Sequence, residues 1–335
     1  MVDRTWQQKA WIGQIDSEGT NLNKSVEEMV DWLDLKTQIP RDARVVIKPN
    51  MTYPFYNRGV STKPEIIEAI VRVLYGISSN ITIVESDGGS YAWPAEQAFE
   101  GHGINALCRK YGIRATNLTK CPSEDFKVEV DGTNVAVKLP RMLFEETDYF
   151  ITMPVPKMHV MTKVSLGFKN QWGCLPDVKR LRNHPDFAHK VIAINKIIKP
   201  KLAIFDGTYF LNRTGPIDGI PVKMDLIIAG DVGATTLVCC ELMEIDPFRV
   251  KHLSLAIREG IMPEYIGAVQ TNQVCLDRLK KEKFYLKRTL KNWATLFVFQ
   301  SNLLTRIAYD SRCAKPIHDI LYFIEGKRKD FAPKW

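Results

Sequence analysis

Three lysines stand where the chain turns: Lys48 precedes Pro49, Lys157 follows Pro156, and Lys169 comes two residues after Gly167. Lysines converging from loops suit a carboxylate or a phosphate, and one withdrawn from water can serve as a general base or Schiff-base nucleophile. Lys63 and Lys163 share the setting but read individually as solvated surface groups. Glu85, Asp87 and Asp206 end or follow β-branched runs. Carboxylates at neighbouring strand ends can hold a divalent cation or separate their pKa values for acid–base work. The plainer alternative is that Asp87-Gly88 and Asp206-Gly207 each form a turn, and Asp231 is left with that structural reading. His159, in the 156–162 loop, suits proton transfer or metal ligation, against the alternative of a satisfied structural imidazole. His184 and His189 are five residues apart, which is wrong for one helix face.

These groups divide into expected roles. Lys157, His159 and Asp206 are the candidates for catalysis, and Glu85, Asp87 and Asp206 for a divalent metal. Lys48, Asn50, Thr62, Gly88, Gly89, Lys169 and Asn170 are the candidates for binding an anion, the glycines through backbone N–H groups. No GxxxxGK[ST] or GxGxxG occurs, which argues against a nucleotide P-loop or a standard dinucleotide fold. Nothing signals a covalent hydrolase.

The elements that must carry these residues follow from pattern. Residues 44–48 are a buried-strand run opening into a Pro-, Tyr- and Gly-containing loop. Pro64 then starts a helix whose Ile66, Ile67, Ile70, Val73 and Leu74 recur at helical spacing. Residues 80–85 form the next strand, completing a strand–loop–helix–strand unit with a right-handed crossover. A helix over 97–111, a hairpin over 128–137 with Asp131-Gly132 at its turn, a strand over 148–153 and a helix over 187–198 follow. Strands over 202–207 and 224–231 come last. This is an α/β class with a mostly parallel sheet, whose carboxyl-end edge is where such proteins bind ligands.

The ordered pieces Lys48-Pro49-Asn50, Thr62 to Pro64, Glu85 to Gly89, Pro156 to His159, Gly167 to Asn170 with Gly173, Asp206-Gly207, Gly215-Pro216 with Gly219, and Gly230-Asp231-Val232 resemble the "domain of unknown function 362" family over roughly 44–247. The first half also resembles the N-terminal domain of nickel-pincer lactate racemases, at the level of fold. Many family members carry a ferredoxin-like cysteine module. The seven cysteines here include no CxxC pair, so no iron–sulfur cluster is expected. Thr235 and Thr236 stand where the family often shows an acid.

Hydrophobic residues make up 45% and charged residues 25%, a globular composition with a sizeable core. Scattered cysteines and an N-terminus without an apolar h-region point to the cytoplasm. From Leu276 onward there are 14 Lys and Arg against 6 Asp and Glu, which accounts for the whole net charge of +8. A neutral body argues against nucleic acid as partner, while a basic tail points to something acidic. The expected division is an α/β domain over 1–270 and a basic helical extension over 271–335. Within it, a basic amphipathic helix over 280–309 is set either against the body or, peripherally, on the anionic inner membrane surface.

The expected function is that of an enzyme acting on a small anionic metabolite by proton transfer, as an isomerase, an epimerase or a ligase-like enzyme. The alternative is a non-catalytic carrier that holds a cofactor or metal in the same pocket. A homo-oligomer is compatible with either.

Overall fold

A computed structural model describes residues 8–16, 20–89, 92–183, 185–299, 301–312 and 316. Its strands are β1 (Lys9–Gln14), β2 (Val45–Pro49), β3 (Ile81–Glu85), β4 (Arg114–Asn117), β5 (Ser123–Val130), β6 (Thr133–Pro140), β7 (Tyr149–Met153), β8 (Lys157–His159), β9 (Lys163–Ser165), β10 (Leu202–Asn212), β11 (Ile220–Gly230) and β12 (Gln270–Thr271). The helices are α1 (Leu22–Trp32), α2 (Leu35–Gln38), α3 (Pro64–Tyr75), α4 (Ala95–Gly101), α5 (Ile104–Tyr111), α6 (Met142–Glu145), α7 (Gly167–Asn170), α8 (Phe187–Ile198), α9 (Val232–Met243), α10 (Lys251–Arg258), α11 (Leu290–Phe299) and α12 (Asn302–Asp310).

Strands β12, β1, β11, β10, β7, β2, β3 and β4 lie in that order across one sheet; β8 pairs with β10 and β9, and β5–β6 is a separate hairpin. From β4 to β10 neighbours are parallel, whereas β11 runs antiparallel to both β10 and β1. The β-branched runs form buried strands because both sheet faces are covered, and alternation sends successive residues to opposite cores. Val46, Val84, Phe150, Phe205 and Ile228 face one core, together with residues of α8, α9 and α10. Ile47, Ile83, Ile151, Ile204 and Ile227 face the other, with α1, α3 and α5. Pro64 at the first turn of α3 fixes its start, and Ile66, Ile67, Ile70 and Leu74 form its buried face.

From β2 the chain steps outward to β3 and β4, then returns to β7 on the other side of β2. The boundary between β2 and β7 is therefore a topological switch point. Connections leaving two adjacent parallel strands toward opposite faces leave a crevice at their carboxyl ends. Lys48, Asn50 and Thr152 all sit there.

The structure departs from the sequence expectations in several places. The helix expected over 97–111 is broken into α4 and α5, because Gly103 adopts φ +70°, a left-handed conformation that cannot continue a helix. Strand β10 does not end at Asp206 in a turn; it runs on to Asn212, with its register against β11 shifting between Gly207 and Tyr209. A single helix over 280–309 does not form. Residues 280–289 run as a strap, with Phe284 buried in the core and Leu286 bridged to Arg213, before α11 and α12 begin. The division at 270 falls inside the sheet, since β12 pairs with β1. No helix among the described residues is long and apolar enough to cross a membrane.

Candidate functional site

At the end of β2 the Lys48 ammonium meets the Glu85 carboxylate from the end of β3, at 2.6 Å, with both side chains almost wholly buried. The ammonium also donates to the Pro49 carbonyl at 2.7 Å. Glu85 in turn accepts from the Ser86 and Met51 amides. Gly173 closes this pair from above: a Cβ there would come within 3.0 Å of Glu85 Oε1 and 3.1 Å of Lys48 Nζ. The glycine is required by close approach, not by its backbone angles.

Several residues expected to contact a ligand instead lock the strand ends, where backbone groups have lost their ladder partners. Asn170 donates to the Lys48 carbonyl and to Thr152 Oγ1. Thr152 donates to Gln171 Oε1, and Gln171 donates to Asn195 Oδ1. Asn195 anchors the chain of amides on the Phe168 and Val191 carbonyls. Thr62 ties the loop 50–63 down from both sides, accepting from the Asn50 amide and donating to the Met153 carbonyl. The Gly88 amide is committed to the Trp93 carbonyl at 2.7 Å, and the glycine lies against the Trp93 indole, so it offers no N–H to an anion. Gly89 sits on the same turn, its carbonyl accepting from the Ala92 amide. The sequence did carry a signal for part of this network: Asn195 interrupts an otherwise apolar stretch of α8, and a buried amide must find partners.

Asp206 sits buried on β10 and reaches across to the start of α3. Its Oδ2 accepts from the Lys63 amide at 2.7 Å, and its Oδ1 accepts from the amide and hydroxyl of Thr208 at 3.0 and 2.5 Å. Burial raises its pKa from the usual 3.8, against those hydrogen bonds, which lower it. The folded protein therefore holds the Asp206 proton to higher pH than the unfolded chain does, and between 3.8 and that raised value stability falls as pH rises. Asp206→Asn removes this slope. It also turns an amide donor toward the Lys63 N–H or the Thr208 donors, at a cost of about 1–3 kcal/mol. Urea unfolding of both proteins across the acid range checks the slope and the offset together.

Lys157 on β8 is fully enclosed, and its amine donates to the Val60 carbonyl in the loop above it. Burial depresses its pKa well below 10.5, reinforced by Lys169 and Lys48 and opposed by Asp206. Lys169 is half-buried; its ammonium lies 5.8 Å from the Phe187 ring centre and makes no hydrogen bond or ion pair with the described residues. Enclosure, with Arg180 nearby, brings its pKa down to about 7. Arg180, itself buried, donates to the Asp87 carbonyl at 2.7 Å. His252 of α10 stacks edge-on to Phe187, has no partner for its buried Nε2, and is held neutral by burial and by Lys169, with its pKa pushed down to about 3. His159 shares a strand face with Lys157 by two-residue alternation, and its Nδ1 accepts from the Met161 amide.

The structure thus brings Lys48, Lys169 and Asp206 within electrostatic reach of Lys157. Sequence reasoning missed Arg180 and His252, which lie in a polar loop and on an ordinary amphipathic helix with no local pattern to mark them. The expected metal set does not assemble: Glu85 is bound to Lys48, Asp87 accepts from the Ala95 amide and Asn117, and Asp206 is tied to Lys63 and Thr208. Among the described residues no group of three or more His, Cys, Asp or Glu side chains could hold a metal ion. A cavity of about 570 Å³ lies between the β5–β6 hairpin and the 175–190 segment, lined in part by Lys138, Asp177, Arg182 and Lys190.

The profile of the family described as "Domain of unknown function (DUF362)" matches residues 45–241, which is the segment holding every residue of this cluster except His252. The chain belongs to the DUF362 family. A thylakoid-associated protein from Synechocystis sp. is 25% identical over 230 residues, covering 66% of this chain and 69% of that protein. Among solved structures, the lactate racemase apoprotein of Thermoanaerobacterium thermosaccharolyticum is similar with a TM-score of 0.45 and 14% identity, covering 73% of this chain and 59% of the racemase. A Thermotoga maritima protein is similar with a TM-score of 0.37 and 15% identity, over 61% of this chain and 54% of that one. The DUF362 segment begins at β2 and ends within α9, so the family match includes the switch point itself.

Proposed function

We propose that this DUF362 protein binds a small carboxylate or phosphate-bearing metabolite at the β2–β7 crevice and moves a proton on it, with Lys157 as the base. The observation that carries this reading is an enclosed amine without a carboxylate: Lys48 is paired with Glu85, Arg180 lies within reach of Glu85, Asp177 and Asp87, and Lys157 feels Asp206, whereas Lys169 has no ion pair among the described residues and lies near the Arg180 cation. An ammonium such as that of Lys169, enclosed without a carboxylate, is unfavourable unless an anion completes the site. Burial favours the neutral amine of Lys157, and beside it a Lys169 that titrates near 7 offers a cation, so a base and a cation meet in one site. Ligand binding displaces the Val60 carbonyl from Lys157, so the loop 50–63 moves when the site fills. Asp206 lies within electrostatic reach of the lysine and can balance its charge, and His159 follows two residues later on the same strand face.

A thermal-shift panel of small mono- and dicarboxylates, which stay ionised near neutrality, tests the binding half. Binding that uses the Lys169 cation weakens about tenfold between about pH 6 and about pH 8, as that ammonium loses its proton. Lys169→Met lowers the affinity and flattens the pH dependence. No stabilisation by any carboxylate or phosphate monoester at either pH would overturn the reading. Tight binding without solvent-proton exchange on any ligand would leave a carrier in place of an enzyme.

A further inference from the structure

We infer that helices α11 and α12, with the strap before them, are a docking surface for an anionic lipid bilayer. Trp293 and Phe297, four residues apart on α11, are 57% and 69% exposed, and Leu303 and Ile307, four apart on α12, are 68% and 40% exposed. Each pair lies along one helix face; on α12 it stands opposite the buried Thr305, and on α11 the buried Leu296 flanks it on one side. Two consecutive short helices therefore turn apolar stripes outward, whereas singly scattered apolar residues are normal on a surface.

The charge beside these stripes selects the occupant. Lys281, Lys283 and Lys287 are exposed on the strap that leads into α11, and the Arg288 guanidinium lies 5.0 Å from the Trp293 ring centre. Cations flanking an indole and a phenyl match the boundary between anionic headgroups and acyl chains, where aromatic rings and basic side chains settle together. A second protein copy would bring the same cations against themselves. Neither helix is long enough to span a bilayer, so the surface lies on the membrane without crossing it. The strap is itself held to the body: Asn212 Nδ2 donates to Glu282 and to the Lys283 carbonyl, Phe284 packs on Phe210, and Arg288 donates to the Val160 carbonyl. Helices seated on lipid would then hold the rest of the chain at the membrane surface through the strap.

Flotation of the full chain with vesicles of phosphatidylcholine alone, and of phosphatidylcholine with phosphatidylglycerol, tests this. The expected result is flotation with the anionic vesicles at low salt, loss of it at high salt, and at least about a tenfold drop in partitioning for Trp293→Glu/Phe297→Glu. Lys283→Glu/Lys287→Glu, which leaves both helices untouched, should weaken flotation at low salt with an unchanged melting temperature. The inference is overturned if the chain stays soluble with both vesicle types, floats equally with both, or floats undiminished in the two double variants. It is equally overturned if light scattering shows a dimer that Trp293→Glu/Phe297→Glu dissociates, because the apolar stripes would then meet a second copy.

Discussion

Lys157→Met should abolish solvent-proton exchange on the protein's ligand while leaving the fold intact. The amine is buried, and burial together with Lys169 and Lys48 holds its pKa well below that of an exposed lysine, which favours the neutral base. Methionine fills a similar volume without the amine, and the fold loses one hydrogen bond to the Val60 carbonyl, about 1 kcal/mol, set against removal of a polar group from the interior. Loss of a general base lowers rates by about 10²–10⁴. Deuterium incorporation from heavy water into small α-substituted carboxylates, followed by NMR, measures the effect whatever the product is. Lys157→Arg separates the roles: arginine stays charged under all working conditions, so it can still attract the anion but cannot take a proton. Exchange that proceeds as fast in both variants as in the wild-type protein would remove Lys157 from the chemistry.

The parts of the site legible in the sequence were those with a local physical signature. Lys48 next to Pro49 at the end of a β-branched run, and Glu85 at the end of the next, announced two strand ends on one edge, and the structure joins them in a buried pair. Lys157 and Lys169 were marked by the Pro and Gly that punctuate their loops. Asp206 was visible as a residue but not in its setting, because the apolar stretch after it carries no sign that β10 runs on to Asn212 beside an antiparallel β11. The metal grouping of Glu85, Asp87 and Asp206 assumed that acids at strand ends converge. They do not, since β7 and β2 lie between β10, which carries Asp206, and β3, which leads to Asp87, so that Asp206 is tied to the start of α3 and Asp87 to α4 and β4. Arg180 and His252 could not be found from spacing at all, because tertiary packing alone brings a loop and α10 to Lys169. In the tail, the apolar stripe was legible but the helix was begun too early: Phe284 is drawn into the core and Leu286 into a bridge with Arg213, which holds the strap extended.

Glu85→Ala should be among the most destabilising single substitutions in the chain, by about 3–5 kcal/mol, because it strands the Lys48 ammonium where water does not reach. The carboxylate also serves as acceptor for the Ser86 and Met51 amides, so its removal leaves backbone donors unsatisfied in the same spot. Lys48→Met should be milder. The remaining carboxyl keeps those amide partners and can take up a proton, whereas a buried ammonium left alone keeps only the Pro49 carbonyl. Lys48→Met/Glu85→Leu should recover much of the loss, since a buried ion pair is often no more stabilising than apolar groups of similar size, and only breaking it in half is severe. The order of urea midpoints at unchanged m-value is the test: wild type and the double variant above Lys48→Met, and Glu85→Ala lowest. If Glu85→Ala shifts stability by less than about 1 kcal/mol, the pair is reached by water. A hydrated pair at the mouth of the β2–β7 crevice would also place the Lys48 ammonium within reach of the bound anion, and carboxylate affinity in Lys48→Met would fall accordingly.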